Sequence, residues 1–246
     1  MHPDITIIFE DNHLLVVNKP PNVPTQPDRS GDPDMLSMLK TYLKEKYHKP
    51  GNVFLGLVHR LDRPTSGLIV FARTSKAAAR LSDQMRRKKI QKDYMAVIHG
   101  VLDKNGLLEH HLAKDRDTNI VSVVSGDHQE AKRATLTYET MENNGDLTLV
   151  EIHLLTGRSH QIRVQFAEEG HPVWGDHKYG IADRVNENNL ALHAFRLQLI
   201  HPTQKNEMTF LSYPEINGPW NKFSKLSEMI RSSGSSMSTD ETDPEP

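Results

Sequence analysis

Residues 59–67 read HRLDRPTSG: Arg60 and Arg63 flank an aspartate, Asp62, ahead of a Pro-Thr-Ser-Gly turn, with apolar runs on both sides. So much polarity between two buried strands asks for a chemical reason. An aspartate among arginines is held ionised, because neighbouring positive charge lowers a carboxylate pKa. That prepares a nucleophile or a base and makes a poor general acid. Glycoside hydrolysis generally needs a second, protonated carboxyl opposite the first. No second acid accompanies this loop in sequence, although a fold can bring one in. The plainer alternative is a surface loop in which Asp62 merely pairs with Arg60 or Arg63, a contact that contributes little.

Other chemistries find less support. The chain has no cysteine, which excludes a thiolate nucleophile, a disulfide framework and a cysteine zinc site. It has 14 histidines, among them His110, His111, His153, His160, His171, His177 and His193. Their spacing contains no HExxH and no helical pair that sets two imidazoles on one ligand face, so no metal is expected.

The elements that must position Asp62 follow from periodicity and turn residues. Residues 5–9 and 14–18 are apolar, β-branched runs parted by Glu10-Asp11-Asn12-His13, the pattern of a hairpin. Pro20, Pro21, Pro24, Pro27 and Pro33 then forbid regular structure, because each lacks an amide donor. Leu36, Leu39, Leu43 and Tyr47 predict a helix over 35–48 that Pro50-Gly51 stops. Residues 53–58 and 68–72 read as strands flanking the polar loop, and Thr74 or Ser75 caps a helix carried by Ala78, Leu81 and Met85. Strands follow at 94–99, 120–124, 134–141 and 147–155, the last two joined at Asn144-Gly145. Residues 157–169 form a loop opening into a short helix that Gly170 ends, and strands at 190–200 and 208–211 precede a terminal helix over 219–230. Consecutive strands without helices between them argue against a doubly wound parallel sheet. They fit an α+β fold with a mixed, mainly antiparallel sheet flanked by helices.

A formal net charge of −2 is unpromising for a nucleic-acid binder. The surplus is partly hidden. After Arg231 the chain reads SSGSSMSTDETDPEP, with four acids and no base, so the rest of the chain carries a small positive balance. That composition predicts a disordered acidic tail at 232–246 and one domain over 1–231. Between Arg73 and Lys92 lie Lys76, Arg80, Arg86, Arg87, Lys88 and Lys89 against one acid, Asp83, which is either a phosphate-binding surface or a solvated helix face. The N-terminus lacks a signal-peptide layout and no apolar run reaches membrane-spanning length, so a soluble cytoplasmic protein is expected.

The string from His59, HRLDRPTSGLIVFARTSKAAARLSDQ, resembles the catalytic motif of the RluA-type (RluA/RluC/RluD-like) pseudouridine synthases. Further segments resemble that family in the family's own order: QKDYMAVIHG at 91–100 and TGRSHQIR at 156–163. Gly175-Asp176, Tyr179-Gly180, Leu192-His193-Ala194 and His201-Pro202 resemble its last elements, so that the likeness covers most of 5–215. It implies a pseudouridine synthase catalytic fold with a central RNA-binding cleft, here without an S4 domain, needing neither metal nor organic cofactor. By the same resemblance Asp62 is the catalytic carboxylate and Arg163 its partner, Tyr94 lies against the target uracil, and Arg60 fills the space left by a flipped nucleotide. Arg158 and His160 shape or support the pocket. Ser159 stands where threonine is commoner and Gln165 where histidine is frequent, departures that bear on substrate choice.

Isomerisation of uridine breaks the bond from N1 to C1′, turns the uracil and joins C5 to C1′. An ionised Asp62 either attacks C1′ or removes the 2′ proton, and both routes stay open. Arg163 is expected to hold the carboxylate through a bidentate contact, and Tyr94 to stack on the base while its phenol helps remove the C5 proton. Without the neighbouring motifs, Tyr94 reads as a core aromatic and Arg163 as a surface ion pair. Extrusion of the uridine must be repaid by pocket contacts. The helix of 76–89 and exposed bases near Lys19 are expected to grip phosphates. The expected partner is structured ribosomal or transfer RNA, bound by a monomer away from membranes. A non-catalytic RNA-binding or ribosome-assembly factor is the alternative; RNA affinity alone does not call for a carboxylate facing a polyanion. An N-glycosidase with a similar pocket differs in releasing free uracil.

Overall fold

The Asp11 carboxylate accepts hydrogen bonds from the His13 and Leu14 amides at 2.7 and 2.6 Å, a local turn that folds β1 (Thr6–Glu10) back on β2 (Leu14–Lys19). The computed structural model describes residues 5–102, 104–180 and 189–235. After the irregular proline segment, Asp34 caps α1 (Met35–Lys46), accepting from the Ser37 amide. The short β3 (Gly56–Leu57) and β4 (Ser66–Ala72) flank the Asp62 loop, and Thr74 caps α2 (Ser75–Arg86). There follow β5 (Gln91–His99), β6 (Gly106–Lys114), β7 (Val121–Val124), β8 (Lys132–Asn144), β9 (Leu147–Leu154) and α3 (Gln161–Glu168). The chain closes with β10 (Leu192–Ile200), β11 (Glu207–Leu211), a 3-10 turn at Gly218–Lys222 and α4 (Ser224–Ser235).

Among the described residues the strands form one sheet in the order β1-β2-β4-β10-β5-β9-β8-β6-β7, with β11 on β10 and β3 on β4. All pairings are antiparallel except β4 with β10. The architecture is α+β with a mixed, mainly antiparallel sheet, as expected. Period-two alternation feeds both faces. Leu15, Val17, Ile69 and Phe71 pack with α1, whereas Leu14, Val16, Leu68 and Val70 pack with Ala77 and Leu81 of α2. A third cluster joins Met95 and Val97 to Trp220, Phe223 and Leu226. The glycine ending the Asp62 motif has a packing cause: Gly67 sits at φ 111°, and a Cβ there would lie 2.3 Å from the Ala194 carbonyl oxygen. β4 and β10 can approach only over a bare backbone.

Three expectations change. The strand over 53–58 shrinks to Gly56–Leu57; Val53 and Leu55 are buried without joining a ladder. β6 has no counterpart in the sequence reading, because His110 and His111 interrupt its apolar alternation and Leu107 is exposed. The terminal helix runs to Ser235, past the Arg231 boundary, and the remainder of the expected tail lies outside the described residues. Among the described residues no helix is long and apolar enough to cross a membrane.

Candidate active site

Asp62 stands on a loop fixed from both sides by the proline segment. The Thr25 hydroxyl donates to the Leu61 carbonyl at 2.9 Å and accepts from the Leu61 amide at 3.3 Å. Lys19 Nζ donates to the Arg63 carbonyl at 2.9 Å and to those of Pro20 and Val23 at 2.9 and 2.7 Å. Lys19 is wholly buried, so the expectation of an exposed, phosphate-gripping base there is corrected. Burial pushes it down to about 7 against the pull of Asp62's charge, while three carbonyls match the three donors of an ammonium. Below the loop, the Val70 amide donates to His59 Nε2 at 3.2 Å, and burial followed by the charge of Lys92 holds His59 neutral, down to about 3.

Neither flanking arginine pairs with Asp62. Arg63 turns away to Asp32 at 2.5 Å and to the Asn22 carbonyl, and Arg60 is exposed without an ion pair among the described residues. The nearest cation comes from α3: Arg163 Nη1 lies 3.5 Å from Asp62 Oδ2. The bidentate contact goes elsewhere, to Asp176, which meets Nε at 2.7 Å and Nη2 at 2.6 Å. Asp176 also accepts the Lys178 and Tyr179 amides, at 2.9 and 3.1 Å. Burial raises the Asp176 pKa, but these contacts outweigh it and leave the carboxyl below its ordinary value. With its Nε–Nη2 edge held by Asp176, Arg163 presents Nη1 to Asp62.

His160 opens α3 in the left-handed region, at φ 51°. Its Nδ1 lies 2.6 Å from the Tyr179 hydroxyl, which accepts the Val121 amide at 3.0 Å; its Nε2 lies 4.0 Å from Asp62 Oδ2. Burial lowers its pKa more than Asp62 raises it, leaving a neutral ring. Tyr179 also lies under the Arg163 guanidinium, 5.1 Å from ring centroid to Cζ. Tyr94 on β5 is only 6% exposed and belongs to the main core cluster. Burial, then the charges of Asp62 and Asp93, raise its phenol, so a phenolate base at this position is disfavoured. Arg158 is exposed, its Nε donating to the Arg133 carbonyl at 3.0 Å.

Asp62, Arg60, Arg158, His160 and Arg163 line one cleft of about 1410 Å³, with Tyr94 behind it in the core rather than in its wall. The Asp62 side chain is 28% exposed there. Sequence reasoning missed the orienting role of Asp176 and the parts of Lys19, Thr25 and Tyr179. Asp176 and Tyr179 had only the spacing Gly-Asp then Tyr-Gly as a signal. Among the described residues no group of three or more His, Asp or Glu side chains has the arrangement of a metal site.

The sequence profile of the RNA pseudouridylate synthase family matches residues 13–168, from β2 to the end of α3 and through the whole Asp62 loop. The chain belongs to this family. Relatives in it include an RNA pseudouridine synthase of Bacillus subtilis, YhcT, 38% identical over 203 residues, covering 81% of this chain and 65% of that one. Ribosomal large subunit pseudouridine synthase D of Haemophilus influenzae is 35% identical over 214 residues, covering 80% of this chain and 64% of its own. The chain thus spans just under two thirds of the length of these family members. The fold is shared with human RNA pseudouridylate synthase domain containing 4, at TM-score 0.73 and 23% identity over 92% of this chain and 93% of the other. Human RNA pseudouridylate synthase domain containing 1 aligns at TM-score 0.72 and 22% identity, over 99% and 100% of the two chains.

Proposed function

We propose that this chain is an RNA pseudouridine synthase that isomerises selected uridines of structured ribosomal or transfer RNA, using Asp62 and no metal or organic cofactor. The observation that carries the reading is the Asp62 carboxylate, open to a basic cleft and 3.5 Å from an arginine locked by a buried second carboxylate. The locked guanidinium faces the Asp62 carboxylate and offers positive charge where a detached uracil would carry negative charge. Asp62 then serves either as nucleophile at C1′ or as base at the 2′ proton. Arg60, at the cleft mouth, occupies the space vacated by the extruded nucleotide. His160 and Arg158 bound the pocket, and Tyr94 packs behind Asp62 as a neutral phenol. The catalytic unit extends through α4 to Ser235, past the expected 231 boundary, with the acidic sequence following it, and acts as a cytoplasmic monomer on RNA.

The test is Asp62→Asn, assayed by mapping pseudouridine in total RNA from cells carrying the wild-type gene, the variant or a deletion. Sites present with wild type should be absent with the variant, while the purified variant stays folded and binds RNA. Substantial conversion by folded Asp62→Asn protein would remove the mechanism, and release of free uracil by wild type would point to a glycosidase.

A further inference from the structure

Lys92 is a cation without a counterion among the described residues. It lies two residues before Tyr94 on β5, hence on the same face of the strand as the tyrosine beside Asp62, roughly 7 Å further along at about 3.4 Å per residue. It lines the cleft and is partly buried, and burial pushes its ammonium below the usual lysine value. No hydrogen bond or ion pair engages its Nζ among the described residues, and Gly157 across the cleft has no side chain to fill the space: a Cβ there would lie 3.7 Å from Nζ. His59 shares this corner. Because its Nε2 accepts the Val70 amide, its proton sits on Nδ1, a buried donor with no acceptor among the described residues. Two other recessed cations among the described residues are satisfied, Lys19 by three carbonyls and Arg163 by Asp176. A partly desolvated charge left unpaired is costly, so its presence asks for an anion that arrives with a ligand.

We propose that Lys92 is a phosphate-binding residue inside the cleft, receiving a backbone phosphate next to the nucleotide that enters the Asp62 pocket. This rests on the RNA reading above and adds a subsite to it. The requirement is for a single point charge on a flexible stem, which suits a phosphate oxygen reached past the bare backbone of Gly157. Such a contact positions the strand and is blind to base identity.

The experiment measures binding of a short fluorescein-labelled oligouridylate to wild type, Lys92→Gln and Lys92→Arg by anisotropy, across about 50 to 200 mM salt. Lys92→Gln should lower the slope of log affinity against log salt by about 0.7, the value for one single-strand phosphate contact, and Lys92→Arg should keep the wild-type slope. Thermal midpoints are measured alongside, because removing an unpaired charge should not lower the midpoint. A wild-type slope in Lys92→Gln overturns the proposal, and a lowered midpoint with that slope assigns Lys92 a structural role instead. Salt-independent or absent binding of the oligouridylate by wild type overturns the subsite, and absent binding of folded ribosomal and transfer RNA as well sinks the RNA reading with it.

Discussion

Replacing Asp176 with asparagine keeps the shape of the side chain and removes the charge that holds Arg163. The carboxylate has no exposed side-chain surface and meets Nε and Nη2 at 2.7 and 2.6 Å, so the new amide would set donors against donors. Breaking one partner of such a buried pair costs about 3–5 kcal/mol. Asp62 shares the same arginine but through one contact at 3.5 Å with 28% of its side chain exposed, a pair worth about 0–1 kcal/mol. In a domain of this size about 1 kcal/mol moves the thermal midpoint by about 2–4 °C, so Asp176→Asn should lower it by roughly 6–20 °C and Asp62→Asn by no more than about 4 °C. Melts followed through Trp174 and Trp220 fluorescence, with turnover measured on the same preparations, separate the two roles. Asp62→Asn should be folded and inactive, Asp176→Asn destabilised and impaired because Arg163 loses its aim. Equal midpoint losses in the two variants, or a wild-type midpoint in Asp176→Asn, would refute this division of labour.

Acid should narrow the gap between wild type and Asp176→Asn. The folded Asp176 pKa is depressed, so its stabilisation is complete above the unfolded value near about 3.9 and is lost as pH falls through the folded value, which denaturation at stepped pH would track. Tyr179→Phe leaves the Val121 amide without its acceptor and His160 without its partner; equilibrium unfolding should show a loss of about 1–3 kcal/mol. Reversing Arg86 and Lys88, which line the cleft, to glutamate should lower the salt slope of RNA binding by at least about 0.7–0.9 per lost contact. Arg80→Ala should leave the slope unchanged, because Arg80 is engaged by the Pro202 carbonyl away from the cleft.

The order of elements was readable because turns and caps are local: the Asp11 turn, the Asp34 and Thr74 caps and the period-two runs of β2 and β4 each need only neighbouring residues. β6 escaped because its partner strand β8 supplies what its own alternation lacks. The same boundary divides the site. Asp62 and Arg163 stood out through motifs, but which carboxylate receives the bidentate contact depends on α3 and the 176–179 turn meeting in space. Lys19 was misread for a related reason. A lysine after a buried strand and before two prolines looks exposed until the carbonyls that surround it, one of them 44 residues away, are brought in by the fold.

Net charge was the weakest guide, since it sums residues that never act together. Much of the basic complement is spent within the molecule: Arg73 on Glu10, Arg63 on Asp32, Arg133 on Glu109, Arg196 on Asp93 and Glu151, and Arg87 on Asp83. Arg60, Lys88, Lys92, Lys114 and Arg158 are different. All line the cleft, and none has a carboxylate within ion-pair distance among the described residues. A polyanion approaching from solvent meets these unpaired charges at close range, whereas charges separated from it by more than about one Debye length are largely screened. A chain with a formal charge of −2 can therefore present a positive groove, with Asp62 and its locked arginine at the bottom of it.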